Sequence, residues 1–180
     1  MLSDRNIKKL AKRKELVYPF RDDCLQPASY DVHLGPYFLD TKTGERRVAW
    51  GARGEFVLPP GELWLGATSE KFYLPNNIAA QIEGRSSWGR LGLMTHITAG
   101  FIDPGFMGMI TLELYNVNSY PLVLPTVFDL LLDSTGVEPI AQVSFMKLSS
   151  KAREPYDTKG HYRNPIGPQL SRLKGRVKNQ

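Results

Sequence analysis

The sequence has one cysteine, Cys24, and three histidines, His33, His96 and His161. A single cysteine excludes an intrachain disulfide framework and any cysteine-based zinc finger. The histidines are far apart in sequence and could form a metal site only by convergence in the fold. No H-E-x-x-H, G-x-x-x-x-G-K-[ST] or G-x-G-x-x-G occurs, so the common metalloprotease and phosphate-loop signatures are absent. The zinc-dependent base-deaminase signature requires P-C-x-x-C, which one cysteine cannot supply. No apolar run approaches the ~20 residues of a membrane-spanning helix. The opening MLSDRNIKKL has no apolar signal-peptide core. A reduced, cytoplasmic protein is the expectation.

The 180 residues fit a single domain with a real core. A hydrophobic content of 42% with 23% charged residues argues against disorder. The net charge of +5 is unevenly placed. Residues 1–14 carry six basic groups against Asp4, and residues 151–180 carry eight against Glu154 and Asp157. The remainder holds nine basic and fifteen acidic groups. Basic ends flank an acidic body, and charge alone favours solvated surface over arms for phosphate or nucleic acid. Neither a nucleic acid nor a membrane is expected as a partner.

Ser3, a capping hydroxyl, followed by Asp4 opens one amphipathic helix over about residues 4–14, with Ile7, Leu10 and Ala11 as its apolar stripe. No other helical pattern is clear. Glu62–Ser69 alternates after the turn signal Pro59-Pro60-Gly61, and similar runs are Lys71–Leu74, Ile78–Ile82, Leu93–Thr98, Met109–Val117, Leu122–Leu124, Phe128–Asp133 and Ile140–Leu148. Many short strands at regular spacing predict an all-β sandwich, jelly roll or small barrel. Apolar density collapses after Lys151, so residues 1–150 read as the domain and 151–180 as a basic tail or lid.

The densest chemistry lies in Glu83–Tyr115, EGRSSWGRLGLMTHITAGFIDPGFMGMITLELY. Arg85, Ser86 and Ser87, flanked by Gly84 and Gly89, offer a guanidinium, hydroxyls and backbone N–H groups suited to phosphate oxygens. Asp103-Pro104-Gly105 is a turn able to present its aspartate. Along Met109–Tyr115, Ile110, Leu112 and Leu114 share one face and Thr111, Glu113 and Tyr115 the other. Taken singly, Glu113 is an ordinary solvent-facing strand glutamate, Arg85 and Arg90 are surface ion-pairing groups, and the glycines serve tight turns. Their concentration in one stretch is less ordinary.

This stretch resembles the dCTP deaminases of the trimeric dUTPase-like superfamily, whose fingerprint reads GRSSxxRxGL followed by HxTAGFIDPGFxGxITLEL. The likeness extends to LSDRNIKK, to Gln26–Leu34 against QPxSxDVRL, to Leu58–Glu62, Tyr73-Leu74-Pro75, Ile140-Ala141-Gln142 and Glu154-Pro155-Tyr156. It implies a distorted jelly-roll, β-barrel-like dUTPase-like fold with a short N-terminal helix, assembled as a homotrimer with active sites shared between chains. The implied reaction is zinc-independent hydrolytic deamination of dCTP, with Glu113 activating water. Ser86 and the backbone around Thr98-Ala99 match positions that hold the water and base, and Arg90 matches an arginine that keeps the glutamate ionised. Arg85, Ser86 and Ser87, with their neighbours Trp88 and Gly89, correspond to the triphosphate segment. Asp103 matches a sugar contact, and Phe106 an aromatic position against the deoxyribose. Thr111 and Leu112 flank the base, and Gln142 and Tyr156 match further nucleotide contacts. Mg²⁺ is implied through the substrate triphosphate. The Thr98-Ala99-Gly100 sequence favours dUMP over dUTP as product.

Two departures stand out. Between Leu124 and Gln142 the chain is about ten residues longer than the family's short turn. In the tail, His161-Tyr162 and Pro165 stand where the family shows lysine–tyrosine and then glutamine, so Lys159, Arg163 or Gln169 would have to substitute. The competing readings are a dUTP diphosphatase, a catalytically inactive nucleotide-binding regulator on the same fold, and a nucleic-acid binder using the basic ends.

Overall fold

The computed structural model describes residues 1–13, 15–49, 54–128 and 136–173. Helix α1 (Asp4–Ala11) buries Ile7 and Ala11. Ser3 stands at its N-cap position, but its hydroxyl makes no cap bond. The Asp4 carboxylate instead accepts from the Arg5 N–H at 2.7 Å. The expected helical stripe is therefore present, and the expected hydroxyl cap is not.

Twelve strands follow among the described residues: β1 (Leu16–Tyr18), β2 (Tyr30–Val32), β3 (Tyr37–Asp40), β4 (Arg46–Val48), β5 (Gly54–Leu58), β6 (Leu63–Tyr73), β7 (Ile78–Gly84), β8 (Leu93–Met94), β9 (Phe101–Ile102), β10 (Met107–Asn116), β11 (Leu122–Thr126) and β12 (Ala141–Lys147). Two short helices, α2 (Ser86–Arg90) and α3 (Tyr156–Lys159), have no counterpart in the sequence reading. The first sheet runs β4-β3-β6-β10-β8, with β1 also on β6; the second runs β2-β12-β7-β9; β5 and β11 form a separate pair. Every pairing is antiparallel. This is the expected distorted jelly roll.

Aromatic contacts join the sheets. Phe72 of β6 meets Phe145 of β12 at 6.4 Å, and Phe38 of β3 stacks on Phe56 of β5 at 3.8 Å. Burial of each such ring contributes about 1.5–3 kcal/mol.

The two expected strands Glu62–Ser69 and Lys71–Leu74 are one strand, β6, carrying an irregularity. Met109 pairs with Lys71 but Thr111 pairs with Ala67, so Thr68, Ser69 and Glu70 stand against Ile110 alone. The buried Thr68 hydroxyl accepts from the Ile110 N–H at 3.0 Å and donates to the Glu70 carbonyl at 2.8 Å. The Glu70 side chain turns inward and accepts from His33 Nδ1 at 2.8 Å, with both groups buried. The expected strand Leu93–Thr98 shrinks to Leu93–Met94, because beyond Met94 the chain leaves the β10 ladder. The expected strand Phe128–Asp133 lies, apart from Phe128, outside the described residues.

Candidate active site

Glu113 sits on the half-buried face of β10 with Thr111, while Ile110, Leu112 and Leu114 point into the core. The segment after β8 crosses this face. Glu113 N–H donates to the Thr95 carbonyl at 3.1 Å, and Ile97 N–H donates to Glu113 Oε2 at 2.7 Å. The carboxylate is thus fixed at one oxygen, beside exposed Thr98 and Ala99. At its far end the segment joins the second sheet, where the Gly100 carbonyl accepts from Ile82 N–H at 2.8 Å. His96 Nε2 lies 3.2 Å from Glu83 Oε2 on β7, and Gln81 donates to the other Glu83 oxygen at 2.7 Å. These bonds, His96 first, hold the Glu83 carboxyl below its ordinary range. Thr95 Oγ1 and His96 Nδ1 are buried without a hydrogen-bond partner among the described residues.

The second group lies where β7 runs into α2. Arg85 stands at the N-cap, and Ser86, Ser87, Gly89 and Arg90 are exposed. Trp88 turns inward, and its indole N–H donates to the Pro139 carbonyl at 3.0 Å. The Arg85 guanidinium pairs with Asp31, and its Nη2 lies 3.6 Å from Glu138. Asp31 is buried in β2, and that burial pushes its carboxyl up against the opposing pull of Arg85. It also accepts from Gln26 at 3.0 Å. Gln142 on β12 lies opposite Asp31 on one side and Glu83 on the other, and accepts from the Ser29 hydroxyl at 3.2 Å. Gln26, Ser29 and Asp31 therefore join this patch. The sequence reading matched their segment to QPxSxDVRL without giving them a role. Glu138, at the end of the long connection, carried no motif at all.

The third group surrounds Asp103-Pro104-Gly105, a turn that requires the positive φ of +82° at Gly105. Asp103 is exposed, whereas Phe106 is buried and packs 5.6 Å from the Tyr156 ring. The tail folds back here. Tyr156 N–H donates to the Pro104 carbonyl at 2.8 Å, Tyr162 N–H to the Tyr156 hydroxyl at 3.1 Å, and Met109 N–H to the Pro165 carbonyl at 2.9 Å. Gly108, at φ +131°, lies so close to Pro165 that an added Cβ would sit 2.4 Å from its ring. His161 is exposed on this tail.

Among the described residues no hydrogen bond or ion pair joins Glu113 to Ser86, Arg90, Asp103 or Gln142. The groups are linked through β7: Glu83, bonded to His96, lies opposite Gln142, and Gln81 pairs with Phe101 just before the Asp103 turn. The side chains of Leu112 and Trp88 belong to the core, so their backbones alone remain for a ligand.

The fold defines the class first: an antiparallel jelly roll carrying a strand carboxylate pinned by a crossing segment. Residues 1–127 match the profile of the dCTP deaminase-like family. The chain is 41% identical over 193 residues to the dCTP deaminase, dUMP-forming, of Dictyoglomus thermophilum, covering 96% of this chain and 94% of that one. It is 39% identical over 188 residues to the protein of the same name from Coprothermobacter proteolyticus, covering 96% of each. The fold resembles the crystal structure of 2′-deoxycytidine 5′-triphosphate deaminase from Agrobacterium tumefaciens, with TM-score 0.63 and 20% identity over 80% of this chain and 47% of that one. The chain belongs to the dCTP deaminase-like family.

Proposed function

We propose that the protein hydrolyses dCTP to dUMP, diphosphate and ammonia, in sites shared between copies of a homotrimer. The observation that carries this is the Glu113 carboxylate, fixed at Oε2 by the Ile97 N–H. Oε1 has no partner among the described residues and is left to take a proton from water as that water attacks C4 of cytosine. The carboxyl passes that proton to N3, then takes the proton of the new C4 hydroxyl and gives it to the leaving amine, so ammonia departs as C4=O forms and the base becomes uracil. General acid–base catalysis of this kind requires one carboxyl within hydrogen-bond reach of both water and base. A second water attacks at the phosphate chain and releases diphosphate, leaving dUMP. The Thr98-Ala99-Gly100 sequence and the dUMP-forming relatives support that second step.

In this reading a neighbouring chain brings Ser86 and Arg90 to Glu113. Their exposure, and the lack of any side-chain partner for Arg90 among the described residues, support the assignment. Arg85, Ser86, Ser87 and the backbone of α2 take the triphosphate. Gln142 adds a contact from β12, Asp103 holds the sugar beneath Phe106, and Tyr156 with the tail, including His161, closes over the nucleotide. Mg²⁺ arrives on the phosphates: among the described residues no cluster of three or more His, Cys, Asp or Glu could hold it alone, and a triphosphate supplies the hard oxygens it prefers. A cytoplasmic location is part of the same proposal. Burial pushes the Cys24 thiol up to about 12, so it takes no part in the chemistry.

The test uses two variants. Glu113→Gln and Ser86→Ala should each release no ammonia from dCTP. Denatured together and refolded as mixed oligomers, they should regain activity, because some sites then pair an intact Glu113 with an intact Ser86. Activity in Glu113→Gln alone would remove Glu113 from its role, and no recovery on mixing would remove the sharing of sites.

A further inference from the structure

The connection between β11 and β12 ends against the segment proposed to hold phosphate. Its described limb is seated at several points. The Pro139 carbonyl accepts the Trp88 indole N–H at 3.0 Å, and Ile140 N–H donates to the Val32 carbonyl at 2.8 Å. Val137 packs on Val127 in a small cluster of its own. The Glu138 backbone is therefore held beside α2 by its neighbours on both sides.

Arg85 consequently lies between two carboxylates. The Asp31 side chain is 5% exposed and pairs directly with the guanidinium. The Glu138 side chain is 55% exposed and 3.6 Å from Nη2. One guanidinium charge is already balanced by Asp31, so Glu138 leaves the spot with an excess of negative charge. An arriving polyphosphate meets this second anion on the very nitrogen it would contact.

We propose that Glu138 is an internal anionic competitor that weakens nucleotide binding by occupying Arg85 in the free protein. The proposal rests on Arg85 being a phosphate ligand. Asp31 cannot play this part, since it is buried and also fixed by Gln26. Glu138 is solvent-facing and can be neutralised without loss of packing. Exposed ion pairs are of modest strength, so removing one competitor tightens binding about two- to fivefold.

The test is calorimetric titration of the full chain with inorganic tripolyphosphate and, separately, with dCTP, each with and without Mg²⁺. Glu138→Gln should lower Kd about two- to fivefold at low ionic strength, and the gain should vanish near 1 M salt, where charges are screened within about 3 Å. Glu45→Gln removes an equal charge from the Arg47 pair on the β3–β4 hairpin and should leave Kd unchanged. Unchanged or weaker binding by Glu138→Gln overturns the proposal, as does a failure of every form to bind tripolyphosphate. Weaker binding seen only with Mg²⁺ would overturn it in favour of a metal-side role. Tripolyphosphate binding does not depend on turnover, so a protein that releases no ammonia but shows the shift would refute the deaminase reading and leave this inference standing.

Discussion

Glu113 owes its geometry to backbone groups of the neighbouring segment, the Thr95 carbonyl and the Ile97 N–H. The segment 95–100 that pins it is itself anchored by His96 on Glu83. The Glu83 carboxyl is depressed below its ordinary 4.5 by bonds to His96 and Gln81. A depressed acid contributes stability that is present above its unfolded value and lost as pH falls through its folded value. Wild type should therefore melt higher than Glu83→Gln at pH 7, with the gap closing as pH drops below about 4.5. Parallel melting curves at all pH values would contradict this. The pair is partly exposed, so the gap should be small. At this scale the alternation over Met109–Tyr115 placed Glu113 correctly on the open face of its strand. Its partner Ile97 was not legible, because the bond comes from a backbone N–H that any residue type carries.

Strand β6 shows what alternation conceals. Thr68, Ser69 and Glu70 are polar and interrupt the apolar rhythm, so the strand reads as two. In the fold they form the bulge against Ile110, and Glu70 is buried because His33 supplies three hydrogen bonds from its ring and backbone. A bulge re-aims side chains by displacing one strand against its partner, and this one sets the pairing through which Thr111 and Glu113 lie opposite Ala67 and Leu65. Thr68→Val should leave the buried Ile110 N–H without its acceptor and cost about 1–3 kcal/mol, read as a lower denaturation midpoint. A midpoint within error of wild type would show that the hydroxyl does not hold the bulge. The three-residue strands β1, β2 and β4 and the five-residue α2 escaped the sequence reading for a related reason, being too short to show a period. The long strands β10 and β12 were legible because each keeps a strict buried-and-open rhythm.

Across the whole molecule, charge is arranged by position rather than amount. Helix α1 lies on the body with Lys8 2.6 Å from Asp22, while the tail folds over the Asp103–Gly105 turn and pairs Lys159 with Glu154. The residues proposed for catalysis lie in the acidic middle of the sequence, where a net charge of +5 gives no hint of them. Motif spacing made those residues legible one by one. It could not reveal that β7 links them through Glu83 and Gln81, because those contacts are set by the sheets and not by the spacing.

The central claim is that this assembly removes the amine of dCTP and then cleaves its phosphate chain. The most direct measurement follows ammonia and diphosphate over time from the full chain with dCTP and Mg²⁺. Both products should appear in equal amounts, with dUMP accumulating. Diphosphate without ammonia, or neither product at any protein concentration, would contradict it.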